Sequence, residues 1–135
     1  MAHEHIVYMM LVDSAACVRD EDGIRKYLPL LQVLAERDEH RPYMAIAHRA
    51  AGVAHRLAGE YEQAGERLQA ALEIFEQLDT HWQIGRTLVE LGELESARSN
   101  VEMAEGYFAR AIVEFESLGA RPDLVRTKAA RKQLV

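Results

Sequence analysis

The chain has 135 residues, of which 49% are hydrophobic and 28% charged, and its net charge is −6. These values are ordinary for one globular domain, residues 1–135, and the acidic balance argues against direct binding of nucleic acid or of an anionic membrane, since both are negatively charged. No apolar run approaches the roughly 18 residues of a transmembrane helix, and the start lacks the basic region of a signal peptide, so we expect a cytoplasmic protein or a cytoplasmic piece of a larger one.

The first 38 residues predict two amphipathic helical segments, separated by the polar stretch 20–23. The first segment contains an unusually apolar run at residues 8–11. Cys17 is the single cysteine, which excludes an intramolecular disulfide, and its apolar neighbours favour a buried or groove-lining thiol. His3 and His5 could in principle bind a metal, but such a site needs three or four converging ligands, so we predict neither a metal site nor a cofactor.

Residues 41–78 predict a second pair of helical segments, with apolar residues at three- and four-residue spacings. Gly59 separates the two segments, where a tight turn needs a permissive backbone, and Pro42 fits the first turn of the first helix. His48 and His55 are seven residues apart and therefore share one helix face. We expect both to be partly buried packing residues, with a ligand or pH-sensing role as the alternative.

Residues 80–118 predict a third pair of helices, and residues 122–134 predict one last short helix. The basic residues of that last helix either stabilise the helix by lying near its negative end or contact an acidic partner. Glu90, Glu93 and Glu95 lie along one predicted helix, whereas paired-carboxylate catalysis needs two carboxylates held across a cleft. We therefore expect these three to form a solvated face.

A repeat of forty residues underlies the three helix pairs. A shift of 40 positions places small residues on small ones and large apolar residues on large ones: Gly52 on Gly92, Ala64 on Ala104, Leu68 on Phe108, Ala71 on Ala111 and Phe75 on Phe115. Small residues let two crossing helices approach, and larger side chains fill the groove between them. The predicted repeats are 4–38, which is degenerate as expected of a terminal unit, then 41–78 and 80–118, followed by a capping helix at 122–134.

The residues at the repeated positions resemble the tetratricopeptide repeat family. The second repeat reads Ala51-Gly52, Gly59 to Ala64, Leu68 and Ala71-Leu72, and the third reads Leu91-Gly92, Ala104, Phe108 and Ala111-Ile112. The usual period is about 34 residues, so a 40-residue period implies longer helices. The longer form resembles arrays in the sensor regions of bacterial signalling ATPases and maltose-activator-like transcription regulators.

The resemblance implies an all-α fold, an α-solenoid of three stacked antiparallel helix hairpins plus the C-terminal capping helix. It also implies a module that binds a protein or peptide in a concave groove lined by the first helix of each hairpin. In the family's register the groove residues are Ile6, Met9, Asp13, Ile46, Arg49, Val53, Arg56, Arg86, Val89 and Glu93. The three arginines favour a partner with acidic side chains or a C-terminal carboxylate, because the guanidinium fork matches a carboxylate.

Several alternatives stay open at this point. The arginines could instead pair with Asp13, Glu93 or other local acids. If they bind a partner, charge reversal of Arg49 and Arg56 should weaken binding without changing the fold. The exposed ends of the solenoid could pair two copies into a homodimer, with the apolar run at 8–11 as the contact, and small-ligand sensing is a third reading. We predict no enzyme, because no phosphate-binding loop, dinucleotide fingerprint or nucleophile elbow occurs in the sequence.

Overall fold

The computed structural model describes the backbone of residues 2–134 and the side chains of residues 6–134. Throughout that backbone every regular element is an α-helix, which confirms the predicted all-α class. The helices are α1 (Ala2–Cys17), α2 (Glu21–Arg37), α3 (Arg41–Leu57), α4 (Tyr61–Gln77), α5 (His81–Ala97), α6 (Val101–Leu118) and α7 (Arg121–Lys132). His3 and His5, considered above as metal ligands, have side chains outside the described residues.

The turns between consecutive helices share one backbone conformation. Each contains a residue with φ between 50° and 79°, and these residues recur every 20 positions: Arg19, Glu39, Gly59, Asp79, Ser99 and Gly119. In every turn the following residue donates its backbone N–H to the carbonyl five positions earlier, which satisfies an acceptor that the helix end leaves open. The 40-residue repeat therefore consists of two helix–turn segments of equal length.

The starts of three helices differ in how they are stabilised. Pro42 lies in the first turn of α3 as expected. Helix α2 begins at Glu21, inside the predicted separator, because the Asp20 side chain accepts a hydrogen bond from the Gly23 backbone N–H at 3.1 Å and so caps the helix. The Thr80 hydroxyl does not cap α5. It donates instead to the Phe75 carbonyl at 3.3 Å.

The chain divides into two compact units, residues 1–74 and 75–135. In the first unit α1 packs against α2 and α3, and α2 packs against α3. Its core is rich in alanine, with larger side chains such as Ile24, Leu31 and Leu68 fully buried between the small residues. In the second unit α6 packs against both α5 and α7, and Phe108 and Phe115 fill its core.

The small and large positions of the repeat meet as predicted. A methyl group placed on Gly52 would lie 2.5 Å from Cγ of Leu68, and one on Gly92 would lie 2.6 Å from Cε1 of Phe108. Both distances are far inside van der Waals contact, so only glycine permits these helix crossings. Along the chain, the repeated core residues Ala64, Leu68, Ala71, Phe75, Ala104, Phe108, Ala111 and Phe115 are at most 1% exposed.

Candidate functional site

In the first unit, three of the predicted groove residues lie inside the core. Ile46 is 5% exposed, Val53 is fully buried, and Arg49 is 2% exposed. All three belong to α3, which packs against both α1 and α2 and therefore has apolar contacts on two sides. Ile46 and Val53 do not form an accessible apolar floor, which corrects that part of the groove prediction.

Arg49 forms an ion pair within the protein. Its Nη2 lies 3.1 Å from Oδ1 of Asp13, and its side chain is 3% exposed against 20% for Asp13. The alternative that the sequence left open, pairing with a local acid, therefore holds for Arg49. A charge reversal at this position would place two carboxylates together in a buried site, so the expectation that Arg49 can be reversed without changing the fold is wrong.

The remaining candidates of the first unit keep some exposure. Ile6 is exposed, while Met9, Asp13 and Arg56 are half-buried. Arg56 lies in the last turn of α3, where a positive charge is favoured by the partial negative charge of the helix end. Of the two arginines predicted in this unit, only Arg56 has an accessible side chain.

In the second unit, the three candidates of α5 share one face. Arg86, Val89 and Glu93 are spaced by three and four residues, and each is half-buried. A half-buried position keeps part of its side chain in solvent while its stem is held by neighbours. These three residues can therefore meet a partner without unfolding the helix.

Trp82 extends this face by one helical turn, and the sequence reasoning missed it. The Arg86 guanidinium carbon lies 4.9 Å from the centre of the Trp82 ring, a cation–π arrangement, and Trp82 is 46% exposed. The Trp82 Nε1–H donates to Oδ2 of Asp123 in α7 at 2.9 Å, which fixes the ring. Trp82 is the chain's single tryptophan and lies four residues before Arg86, so the two share one face of a helix. This spacing would have been enough to predict Trp82 as part of the site. We call Trp82, Arg86, Val89 and Glu93 the α5 face.

Two of the three glutamates predicted to be solvated are buried. Glu90 is 9% exposed and Glu95 is 7% exposed, whereas Glu93 is half-buried. Helix α5 has nine buried positions spread around its circumference, so its polar residues do not gather on one solvent side. Oε1 of Glu95 lies 3.5 Å from Nη1 of Arg98 and forms an ion pair with it.

Other expectations on single residues have mixed outcomes. His48 and His55 are both half-buried, as predicted, and His55 lies 2.9 Å from Oε1 of Glu60. Cys17 is exposed, which corrects the first of the two expectations for it, a buried thiol, and does not test the second, a groove-lining one. Among the described side chains no group of three or more His, Cys, Asp and Glu residues could hold a metal ion. Over the same part of the chain, no helix is long and apolar enough to cross a membrane.

Comparison with known proteins identifies the repeat. A sequence profile of the tetratricopeptide repeat matches residues 27–112, which is more than half of the chain. None of the curated proteins compared with the chain matches it significantly. The matched region runs from α2 to α6 and contains the Gly52–Leu68 and Gly92–Phe108 crossings. Repeats of this kind generally mediate protein–protein interactions and are typically not catalytic. The chain belongs to the tetratricopeptide repeat family.

Proposed function

We propose that this chain is a protein- or peptide-binding module and that the α5 face is its principal contact. The observation that carries the proposal is the pairing of Trp82 with Arg86 on a half-exposed surface. Tryptophan and arginine are the residue types most enriched among those that dominate binding energy at protein interfaces. Because Asp123 holds the Trp82 ring, little side-chain freedom would be lost on binding.

The partner we propose carries a carboxylate, either on an acidic side chain or at its C-terminus. Arg86 offers a planar guanidinium that can accept a carboxylate in two parallel hydrogen bonds. Val89 adds an apolar contact one turn further along the helix. Glu93 at the end of the face disfavours a second acidic group there, so the carboxylate should lie nearest to Trp82.

The experiment is a binding screen of the whole chain against immobilised acidic peptides with free and amidated C-termini. Trp82→Ala and Arg86→Ala should each weaken the best peptide by about tenfold or more, as expected for hot-spot residues. Arg110→Ala is the matched control, since Arg110 is an exposed arginine on α6. Equal losses in Arg86→Ala and Arg110→Ala would mean non-specific charge attraction. A wild-type chain that binds none of the peptides would contradict the proposal.

A second candidate function is self-association through α1, supported by a separate observation. The exposed side chains of α1 from residue 6 onward are all uncharged: Ile6, Val7, Met10, Leu11, Ser14 and Cys17. They continue to Val18, which is 74% exposed. Although the chain is acidic, two copies meeting on this face would bring no like charges together. We propose a second copy as the occupant, in an antiparallel α1–α1 contact.

Sedimentation at several concentrations tests this second candidate. Met10→Glu should shift the chain towards the monomer, because a charge would then lie within the apolar contact. Val113→Glu is the control, since Val113 is similarly exposed on α6. A wild-type chain that remains monomeric at every concentration, or a dimer that Met10→Glu leaves intact, would remove the idea.

We also propose a setting for the module, on the resemblance of its 40-residue period to regulatory arrays. In that setting it would be part of a bacterial signalling or regulatory protein in the cytoplasm. The adjoining reading frame tests this point, since a neighbouring ATPase, cyclase or DNA-binding domain would support it. A frame that encodes none of these would count against it.

A further inference from the structure

A small pocket lies in the first unit, and the two candidate functions above use none of its lining residues. It is partly open, has a volume of about 60 Å³, and is formed where α2, α3 and α4 meet. Its polar lining comes from Gln32 and Glu36 of α2, His48 of α3 and Arg67 of α4. A space of this size holds two or three waters or one small polar group, but no ring-sized ligand.

Two side chains that line the pocket carry buried nitrogens without a hydrogen-bond partner. They are Nδ1 of His48 and Nε of Arg67, and no described atom satisfies either of them. A buried polar group left unpaired costs about 1–3 kcal/mol, so an oxygen delivered to this pocket would recover part of that cost. Because the Arg67 guanidinium can only donate, the missing partner must be an acceptor.

The charges around the pocket select the kind of acceptor. Burial lowers the pKa of Arg67 despite the nearby carboxylate of Glu36, and burial together with Arg67 lowers the pKa of His48. The pocket thus holds one arginine cation, one carboxylate at its edge, and a histidine that is neutral at neutral pH. A single negative charge is compatible with this set, whereas a dianion such as phosphate is disfavoured by Glu36.

We propose that this pocket binds one carboxylate group, held by Arg67 with His48 as the second hydrogen-bond partner. The site is separate from the α5 face and would be occupied whether or not that face binds a peptide. The carboxylate belongs either to a free small acid or to an aspartate or glutamate side chain of a partner protein.

The test uses the full chain, with acetate as the probe of a free acid. The His48 ring signals are followed by NMR while sodium acetate replaces sodium chloride at constant ionic strength. Acetate should shift these signals and raise the pH at which His48 titrates, because a bound anion favours the imidazolium. The ring of His55, which does not line the pocket, serves as the internal control. Identical His48 signals in acetate and chloride would count against a site for free acids.

Two variants assign the binding to the pocket. Arg67→Gln should weaken the response by about tenfold or more, since a charge-assisted hydrogen bond is lost. Because Arg67 is half-buried, this variant could also disturb the packing, so Glu36→Gln is the second variant. Glu36 is exposed, and removing its charge should strengthen the response several-fold. Acetate binding that Glu36→Gln leaves unchanged or weakens would overturn the assignment.

A second probe distinguishes the two sources of the carboxylate. Glutamate blocked at both its amino and carboxyl groups carries only its side-chain acid, as it would within a protein. If the blocked glutamate shifts the His48 signals and acetate does not, the pocket receives a partner's side chain. If acetate alone acts, the ligand is a free small acid. The proposal is wrong if neither probe moves the signals.

Discussion

Arg49 of α3 and Asp13 of α1 form an ion pair of 3.1 Å in the first unit, with the arginine side chain almost completely buried. The pair joins two residues that lie 36 positions apart in the chain. Both residues were candidates for binding a partner. Because Arg49 is buried in this pair, we infer that it stabilises the unit. A buried charge that loses its partner is costly, whereas an exposed arginine contributes little to folding.

The first prediction contrasts the two arginines of α3. Arg49→Ala should lower the free energy of unfolding by about 3 kcal/mol, since it removes the buried side of the 3.1 Å ion pair with Asp13. Arg56→Ala should lower the free energy by less than Arg49→Ala does, because Arg56 is half-buried whereas Arg49 is 2% exposed. Urea unfolding followed by circular dichroism measures both. Equal losses would show that Arg49 is no more important to the fold than Arg56.

The second prediction concerns the close crossing of α5 and α6 at Gly92. Gly92→Ala should destabilise the chain by about 1–3 kcal/mol, because the new methyl group would overlap the Phe108 ring. Gly106→Ala is the matched control on α6, since no atom lies within 4 Å of a methyl group added there. That control should gain up to about 1 kcal/mol from the better helix propensity of alanine. Thermal unfolding would contradict the prediction if both variants shifted the midpoint in the same direction.

The third prediction is a pH dependence at the start of α5. His81 has Nδ1 at 2.8 Å from Glu114 and Nε2 at 2.8 Å from Asp79, and the hydrogen bond to Glu114 is the main cause of its raised pKa. A raised pKa in the folded state means stabilisation that is fully present below the unfolded value of about 6.5 and is lost as the pH rises through the folded value.

Glu114→Gln should remove most of that dependence. The variant and the wild type should be equally stable at high pH. As the pH falls, the wild type should become more stable than the variant. Melting temperatures measured from about pH 5.5 to 8.5, together with an NMR titration of His81, test this point. Parallel melting curves across the whole pH range would show that the His81–Glu114 contact does not affect folding.

The fourth prediction uses the repeated turn. Ser99 has a φ of 61°, a left-handed conformation that costs a residue with a side chain about 1 kcal/mol. Ser99→Gly should therefore stabilise the chain by about 0.5–1 kcal/mol. Ser96→Gly, three residues earlier in the last turn of α5, should destabilise it by a similar amount because glycine is unfavourable within a helix. Chemical unfolding measures both, and a loss of stability in Ser99→Gly would contradict the strain argument.

The sequence was sufficient to predict the helical repeat because that information is local and periodic. The 40-residue register aligned Gly52 with Gly92 and Leu68 with Phe108, and in the structure each glycine lies against the large residue of its own repeat. Size alternation along an amphipathic helix is visible in a single sequence, and it determines which positions are buried. The shared turn was visible only in part. The glycines at positions 59 and 119 indicate a left-handed turn. Glu39 and Ser99 adopt the same conformation, although neither is a glycine.

The candidate site was harder to predict because exposure depends on contacts between distant segments. Arg49 and Arg56 are both arginines on α3, but only Arg49 reaches an acid on α1. Glu90 and Glu95 are buried because α5 is covered around most of its circumference, which its own sequence does not show. Trp82 is a candidate binding residue because it contacts Arg86 beside it and Asp123 in α7. The second of these contacts joins residues 41 positions apart, which the sequence does not show.

The even spacing of the left-handed turns has a consequence for how such a chain can change in length. Residues 40 and 80 occupy the same position, directly after the left-handed residue of a turn. A duplication of residues 41–80 would join Thr80 to a second copy of Arg41, and that joint would have the backbone geometry of the existing His40–Arg41 joint. A gene of this kind can therefore gain or lose a complete repeat in one in-frame step. Only the side chains at the new interface would then have to change for the repeats to pack.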